Sequence, residues 1–199
     1  MALKNRLRKE IKAASETFSD VLNYISPTAH LHSTEHNNYP ERMFSHFYIK
    51  AIAKALNTDN VLLELPVRGK RGHRMDNHID ALIFNDRQIV VAEFKLGWAQ
   101  SGWEALARDL VRLQGPVAQE IRKKFTRQGR RPWIFVGTDC YRKNVAAVWK
   151  SGRAGARHRL PRALGNAHRD FVPVWEEEGK NFDGHFLMWA LLPYAEMSV

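Results

Sequence analysis

The run His78-Ile79-Asp80-Ala81-Leu82-Ile83-Phe84, then Asn85-Asp86-Arg87-Gln88, then Ile89-Val90-Val91-Ala92-Glu93-Phe94-Lys95 decides the fold. Two short stretches of branched and aromatic residues flank a polar cluster of turn formers, which is the pattern of a β-hairpin. With the turn centred between Asp86 and Arg87, Phe84 pairs with Ile89 and Leu82 with Val91, which sets Asp80 opposite Glu93. Directly opposed side chains lie roughly 5 Å apart at Cβ, and like charges placed there repel. The period of two puts Lys95 beside Glu93 and turns Phe94, Ala92 and Val90 the other way, into a core. Two carboxylates and an ammonium therefore converge at the end of a hairpin whose back is apolar, and that pairing calls for a cation.

Asp80, followed across a gap of twelve residues by Glu93-Phe94-Lys95, resembles the PD-(D/E)xK nuclease signature. In that family an aspartate on the second core strand and an acid-x-lysine on the third hold Mg²⁺. The resemblance spans roughly residues 41 to 138. Ile79 stands where the motif's name has proline, a position whose side chain the chemistry does not use. The resemblance implies an α/β protein with a restriction-endonuclease-like αβββαβ core. A mixed central sheet is flanked by helices, extended here by an N-terminal helix and C-terminal strands. It implies a Mg²⁺-dependent phosphodiesterase, with Mn²⁺ as a substitute, that cuts nucleic acid to a 5′-phosphate and a 3′-hydroxyl. DNA is the first expectation for the substrate and endonuclease action the first expectation for the mode. On this resemblance Asp80, Glu93 and the carbonyl oxygen of Phe94 are the metal ligands, and Lys95 holds the attacking water or the attacked phosphate. Glu41, on the first core helix, is the accessory acid.

A chain of 199 residues with 44% hydrophobic content can bury one sizeable core, so a single domain over residues 1–199 is expected. Within it, 1–38 reads as a helical extension, 39–138 as the core and 139–199 as a basic loop with closing strands. The longest apolar run, near Phe186 to Pro193, is strand-sized, so no membrane partner is expected. The first ten residues are charged throughout, and Cys140 is the single cysteine. Both features suggest a reduced, cytoplasmic setting.

The net charge of +10 is unevenly placed: 14 Lys or Arg lie between Ile121 and Asp170, against Asp139 and Asp170 alone. A basic half joined to a carboxylate site suits a polyanion such as DNA, held through salt-dependent phosphate contacts. The glycine-rich loop with Arg68, Lys70, Arg71 and Arg74 leads straight into the strand of Asp80 and reads as a phosphate clamp. Arg153, Arg157 and Arg159 stand in a stretch from Ser151 to Arg169 with almost no apolar periodicity, which reads as a mobile loop able to close over nucleic acid. A solvated basic face is the plainer alternative. A homodimer is compatible with the sequence but not established by it.

Residues 3 to 25 form an amphipathic helix with Leu3, Leu7, Ile11, Phe18, Leu22 and Ile25 near one stripe. A loop from Ser26 to Asn38 follows, carrying His30, His32, Glu35 and His36. Its spacing is similar to the ligand loop of metallo-β-lactamase-like hydrolases, but the acid and last histidine come one residue late, so a solvated loop is the better reading. Asn38 can cap a helix running to about Leu56, with Pro40 in its first turn. Glu41 either completes a capping box or, on the stripe of Phe44, Tyr48 and Ile52, points toward the sheet.

Val61 to Val67 reads as a buried strand. Glu64 within it needs a basic partner, or serves as the accessory acid in place of Glu41. After Lys95, Ser101 can cap a helix with a core face of Trp103, Leu106, Leu110 and Leu113, stopped by Gly115-Pro116. A short helix from Val117 to about Phe125 continues the crossover. Trp133 to Gly137 is then a strand parallel to the third, and Asp139 caps a helix through Trp149. Phe171–Trp175 and His185–Leu192 close the sheet. A non-cleaving module on the same fold is the runner-up function, against which the intact Asp80, Glu93 and Lys95 speak. A histidine-loop hydrolase ranks third.

Overall fold

The computed structural model describes residues 2–29, 41–66, 78–96, 100–114, 129–140, 143–151, 164, 167–176 and 184–193. In chain order they form α1 (Leu3–Ala29), α2 (Glu41–Leu56), β1 (Val61–Pro66), β2 (His78–Phe84), β3 (Gln88–Lys95) and α3 (Gln100–Gln114). β4 (Arg131–Cys140), α4 (Lys143–Ser151), β5 (His168–Glu176) and β6 (Gly184–Pro193) complete the chain. The strands make one six-stranded mixed sheet in the order β1-β2-β3-β4-β6-β5. β3 and β4 are parallel and the other neighbouring pairs antiparallel. A parallel neighbour requires a crossover, and α3 lies in it.

The central hairpin forms as its pattern requires, with Phe84 opposite Ile89 and Leu82 opposite Val91. Asn85 fixes the turn: its side-chain oxygen accepts from the N–H groups of Arg87 and Gln88 at 2.9 and 2.8 Å. Asparagine favours such turns because its side chain substitutes for a backbone acceptor. The Asn85 amide also donates to the Leu56 carbonyl at 2.6 Å, tying the hairpin to the end of α2. That end is a Schellman motif. Asn57 takes the left-handed conformation at φ 54°, Thr58 N–H bonds to Ala53 O, and Asn57 N–H bonds to Lys54 O.

Helices cover both faces. On one, Phe44, Tyr48 and Ile52 of α2 share a core with Val90, Ala92 and Phe94 of β3, and Leu7, Ile11 and Phe18 of α1 extend it over α2 and β5. On the other, Leu106, Leu110 and Leu113 of α3 and Ala146 and Trp149 of α4 pack on Val91, Ile134, Val136 and Met188. Burying each large apolar side chain contributes roughly 1.5–3 kcal/mol, so the central strands, apolar on both faces, anchor all three layers. Asp170 joins three elements: it accepts from Arg8 of α1 at 2.6 Å and pairs with Lys150 of α4 at 3.0 Å.

The mixed sheet, the flanking helices and the order α2-β1-β2-β3-α3-β4 agree with the sequence reading. Four local expectations do not hold. α1 continues through Pro27 to Ala29 instead of yielding to a loop at Ser26, because a proline near a helix end removes only one late donor. β1 is an edge strand, not a buried one, and Leu62 and Leu63 are 46% and 59% exposed. Asp139 is not a helix cap: it lies inside β4, fully buried, with its carboxylate 3.2 Å from His185. His168 and Arg169, expected in a mobile loop, begin β5. The short helix near Val117 lies outside the described residues.

Candidate functional site

Alternation along β3 sends Phe94 into the core beneath α2 and Glu93 toward α3. Glu93 is buried at 1% exposure, and its carboxylate meets the Arg112 guanidinium at 2.7 Å. Arg112 also donates to the His78 carbonyl at 2.9 Å and pairs with Asp109, one turn earlier on α3, at 3.4 Å. Lys95 stands 3.8 Å from Asp109. Glu93 and Lys95 thus share a face, as the period of two requires, and α3 supplies them with one cation and one further acid.

Asp80 is placed less regularly. The β2–β3 ladder stops at Ala81 opposite Ala92, and the Asp80 carboxylate instead accepts the backbone N–H of Phe94 at 2.7 Å. Ile79 and Leu82 both pack into the α3-side core although three residues apart, so strict alternation breaks at Asp80. The β1–β2 ladder is interrupted at the same level, where Glu64 takes the left-handed conformation at φ 48°. Such a φ is uncommon and costly for a residue with a Cβ. Asp80 consequently borders a cleft of about 1160 Å³ between α2 and the β1 edge, together with Arg42, His46, Lys50, Glu64 and His78. The two acids expected to face each other squarely have separate hydrogen-bond partners.

They still sense each other. Burial first, and the Asp80 charge second, push the Glu93 carboxyl up to about 8. Arg112 draws it down, Asp109 pushes it up, and Lys95 draws it down. A carboxyl in that condition gains most from an additional positive charge, because desolvation and a like neighbour both penalise its ionised form. Perturbation of this kind is found at functional sites and in structural ion-pair networks alike.

The structure therefore brings together Asp80, Glu93, Lys95 and the backbone of Phe94. Glu41 is the first residue of α2, and its side chain lies outside what is described. Arg68, Lys70, Arg71, Arg74, Arg153, Arg157, Arg159 and the histidines of the 30–36 loop also lie outside the described residues. Glu64 takes the basic partner expected of it, Arg42 at 2.9 Å, but on the exposed edge.

Sequence reasoning missed Asp109 and Arg112. Their signal is an i,i+3 acid–base pair flanking the stripe of Leu106, Leu110 and Leu113, which reads as a surface pair until the helix is docked. It also missed the polar pairs inside the α1–α2 core. Ser15 and Tyr48 share a hydrogen bond at 3.1 Å, near the buried Asp139–His185 pair. Burial holds the Tyr48 hydroxyl protonated well above its ordinary range, against the lowering effect of the Ser15 bond and with a further upward push from Asp139.

Among the described residues no three His, Cys, Asp or Glu side chains gather into a cation site. The donors at hand are two carboxylates and a backbone carbonyl. Among the described residues, no helix is long and apolar enough to cross a membrane. Comparison of the chain with protein-family models, with curated proteins and with solved structures returns no match.

Proposed function

We propose that this chain is a Mg²⁺-dependent nuclease that hydrolyses phosphodiester bonds in DNA, with the core arrangement of the restriction-endonuclease-like fold. The observation that carries the reading is the buried Glu93 carboxyl, pushed up by burial and by Asp80, with Lys95 on the same face. Asp80, Glu93 and the Phe94 carbonyl would hold the ion. The donor set fits: magnesium binds through one or two carboxylates and keeps several waters, and the repulsion of Asp80 on Glu93 is what a divalent cation removes. When bound, the ion supplies a water of lowered pKa and positive charge for the pentacoordinate phosphorus.

The chain's own groups do the rest. Lys95 is 27% exposed at its side chain, so its ammonium can reach a phosphate arriving from solvent while its stem stays fixed on β3. Arg112 holds the Glu93 carboxylate in place. The Phe94 N–H orients the Asp80 carboxylate. Asp80→Ala and Lys95→Ala are expected to abolish Mg²⁺-dependent nicking of supercoiled DNA while the circular dichroism spectrum is unchanged. Parental nicking by both variants would remove the assignment.

One observation favours a second reading. Arg112 already neutralises Glu93, as a non-cleaving DNA-binding module on this fold would require. Retained gel shift with no cut in either Mg²⁺ or Mn²⁺ would select that reading.

A further inference from the structure

Arg42, His46, Lys50 and Lys54 recur every fourth residue along α2 and all border the cleft that ends at Asp80. Side chains at i and i+4 lie one above the other, and successive members rise by roughly 6 Å along the helix. That step is comparable to the separation of neighbouring phosphates on one nucleic-acid strand. The opposite wall is the β1 edge, where Leu63 is 59% exposed and, like Val61, borders the same space. Leu63 thus gives that wall one exposed apolar side chain.

The cleft also carries acids. Asp59 stands at its far end, and Glu64 and Asp80 on the strand wall. Arg42 meets Glu64 at 2.9 Å, with side chains 84% and 55% exposed, and Lys54 meets Glu10 at 2.9 Å. Exposed pairs of the Arg42–Glu64 kind contribute little, so a phosphate can take over that guanidinium. Asp80 is the residue that the nuclease reading commits to a metal ion. With that charge compensated, the cleft sets Arg42, Lys50 and Lys54 against Asp59 and Glu64.

We infer that this cleft is the track of a single DNA strand, with phosphates along Arg42, His46, Lys50 and Lys54 and bases over Leu63. Single-strand sites combine a cationic groove that follows the backbone with aromatic side chains that stack the bases; here the base-facing contact is the aliphatic Leu63. The inference rests on the nuclease reading, because it is Asp80 that makes the track end at a reacting bond.

Fluorescence anisotropy of a labelled single-stranded oligonucleotide, measured in Ca²⁺ so that the carboxylates are compensated while the Mg²⁺-dependent chemistry is withheld, tests it. The variant is Arg42→Gln with Lys50→Gln, both exposed positions, checked for folding by thermal melting. The control is Lys12→Gln on α1, an exposed lysine at the same loss of charge per site. Removing two phosphate contacts lowers the slope of log affinity against log salt by about 1.4, and the control leaves it unchanged.

An unchanged slope in the double variant, or no binding by the parent, overturns the inference. An equal loss with a blunt duplex of the same sequence overturns the single-strand assignment. Polyglutamate competing as well as the oligonucleotide would assign the cleft to acidic protein instead. Failures are distinguishable: a parent that nicks DNA with a slope insensitive to the double variant keeps the nuclease reading and loses the track. A parent that binds through these residues but never nicks loses the nuclease reading and keeps the track.

Discussion

The Arg112 guanidinium lies 2.7 Å from the Glu93 carboxylate and 2.9 Å from the His78 carbonyl, so one side chain of α3 joins β2 and β3 where their own ladder has ended. Removing one partner of a buried ion pair costs more than the pair itself contributes. Arg112→Met is expected to destabilise the protein by about 1–3 kcal/mol at about pH 8, and by clearly less at about pH 5, where Glu93 keeps its proton. Urea unfolding at the two pH values measures this. Equal losses at both would show that Arg112 acts through packing and not through its charge.

Glu93 itself makes a signed prediction. Its folded carboxyl is raised from 4.5 to about 8, so the folded state binds the proton more tightly than the unfolded chain. Its contribution is therefore fully present below the unfolded value and is lost as pH rises through about 8. Glu93→Gln removes this titration. Its stability should fall less than the parent's across that window, by on the order of a few kcal/mol. Mg²⁺ should raise the melting temperature of the parent and leave that of Glu93→Gln unmoved, since only a binding-competent folded state gains from the ligand.

Asp170 behaves in the opposite sense. Burial alone would lift its carboxyl, but hydrogen bonds from Lys150, Arg8 and the Phe171 N–H outweigh that and hold it below the usual carboxylate range. Its stabilisation is present above the unfolded value and is lost as pH falls through the depressed one. The two cations are half-exposed, so screening limits the effect. Asp170→Asn should cost about 1 kcal/mol at neutral pH, and thermal melts of variant and parent should converge in acid.

Gly137 faces Phe94 across the parallel pair. A Cβ at Gly137 would come within 2.7 and 2.8 Å of the Phe94 ring. Gly137→Ala must displace that ring, at a cost of about 1–3 kcal/mol. Phe94 also carries the N–H that holds Asp80, so nicking should fall further than the urea midpoint alone explains. Activity unchanged in a destabilised variant would separate the ring from the site.

The hairpin was legible because its information is local: turn chemistry at Asn85 and alternation along Val90 to Phe94 fix the register by themselves. Glu93 and Lys95 follow from the same alternation. Asp80 was legible as a residue but not in its placement, since the break in β2 lies level with the left-handed Glu64 of a different strand. Arg112 and Asp109 were illegible for a related reason. Their role depends on how α3 crosses the sheet, which helical periodicity cannot specify. Asp139 looked like a helix cap because its partner, His185, stands 46 residues away in sequence. The row along α2 went unread in the sequence, because only its position opposite β1 makes it a wall of a cleft.

The position of β6 in the sheet has a consequence for how the nascent chain matures. β6 lies between β4 and β5, so β5 finds its ladder partner only in the strand made after it. Until then the apolar side chains of β4 on that flank stay open to misassembly with other chains, a hazard typical of non-local pairings. Substitutions that weaken β6, such as proline at Met188, should therefore reduce the yield of soluble protein before they affect any surface-borne property.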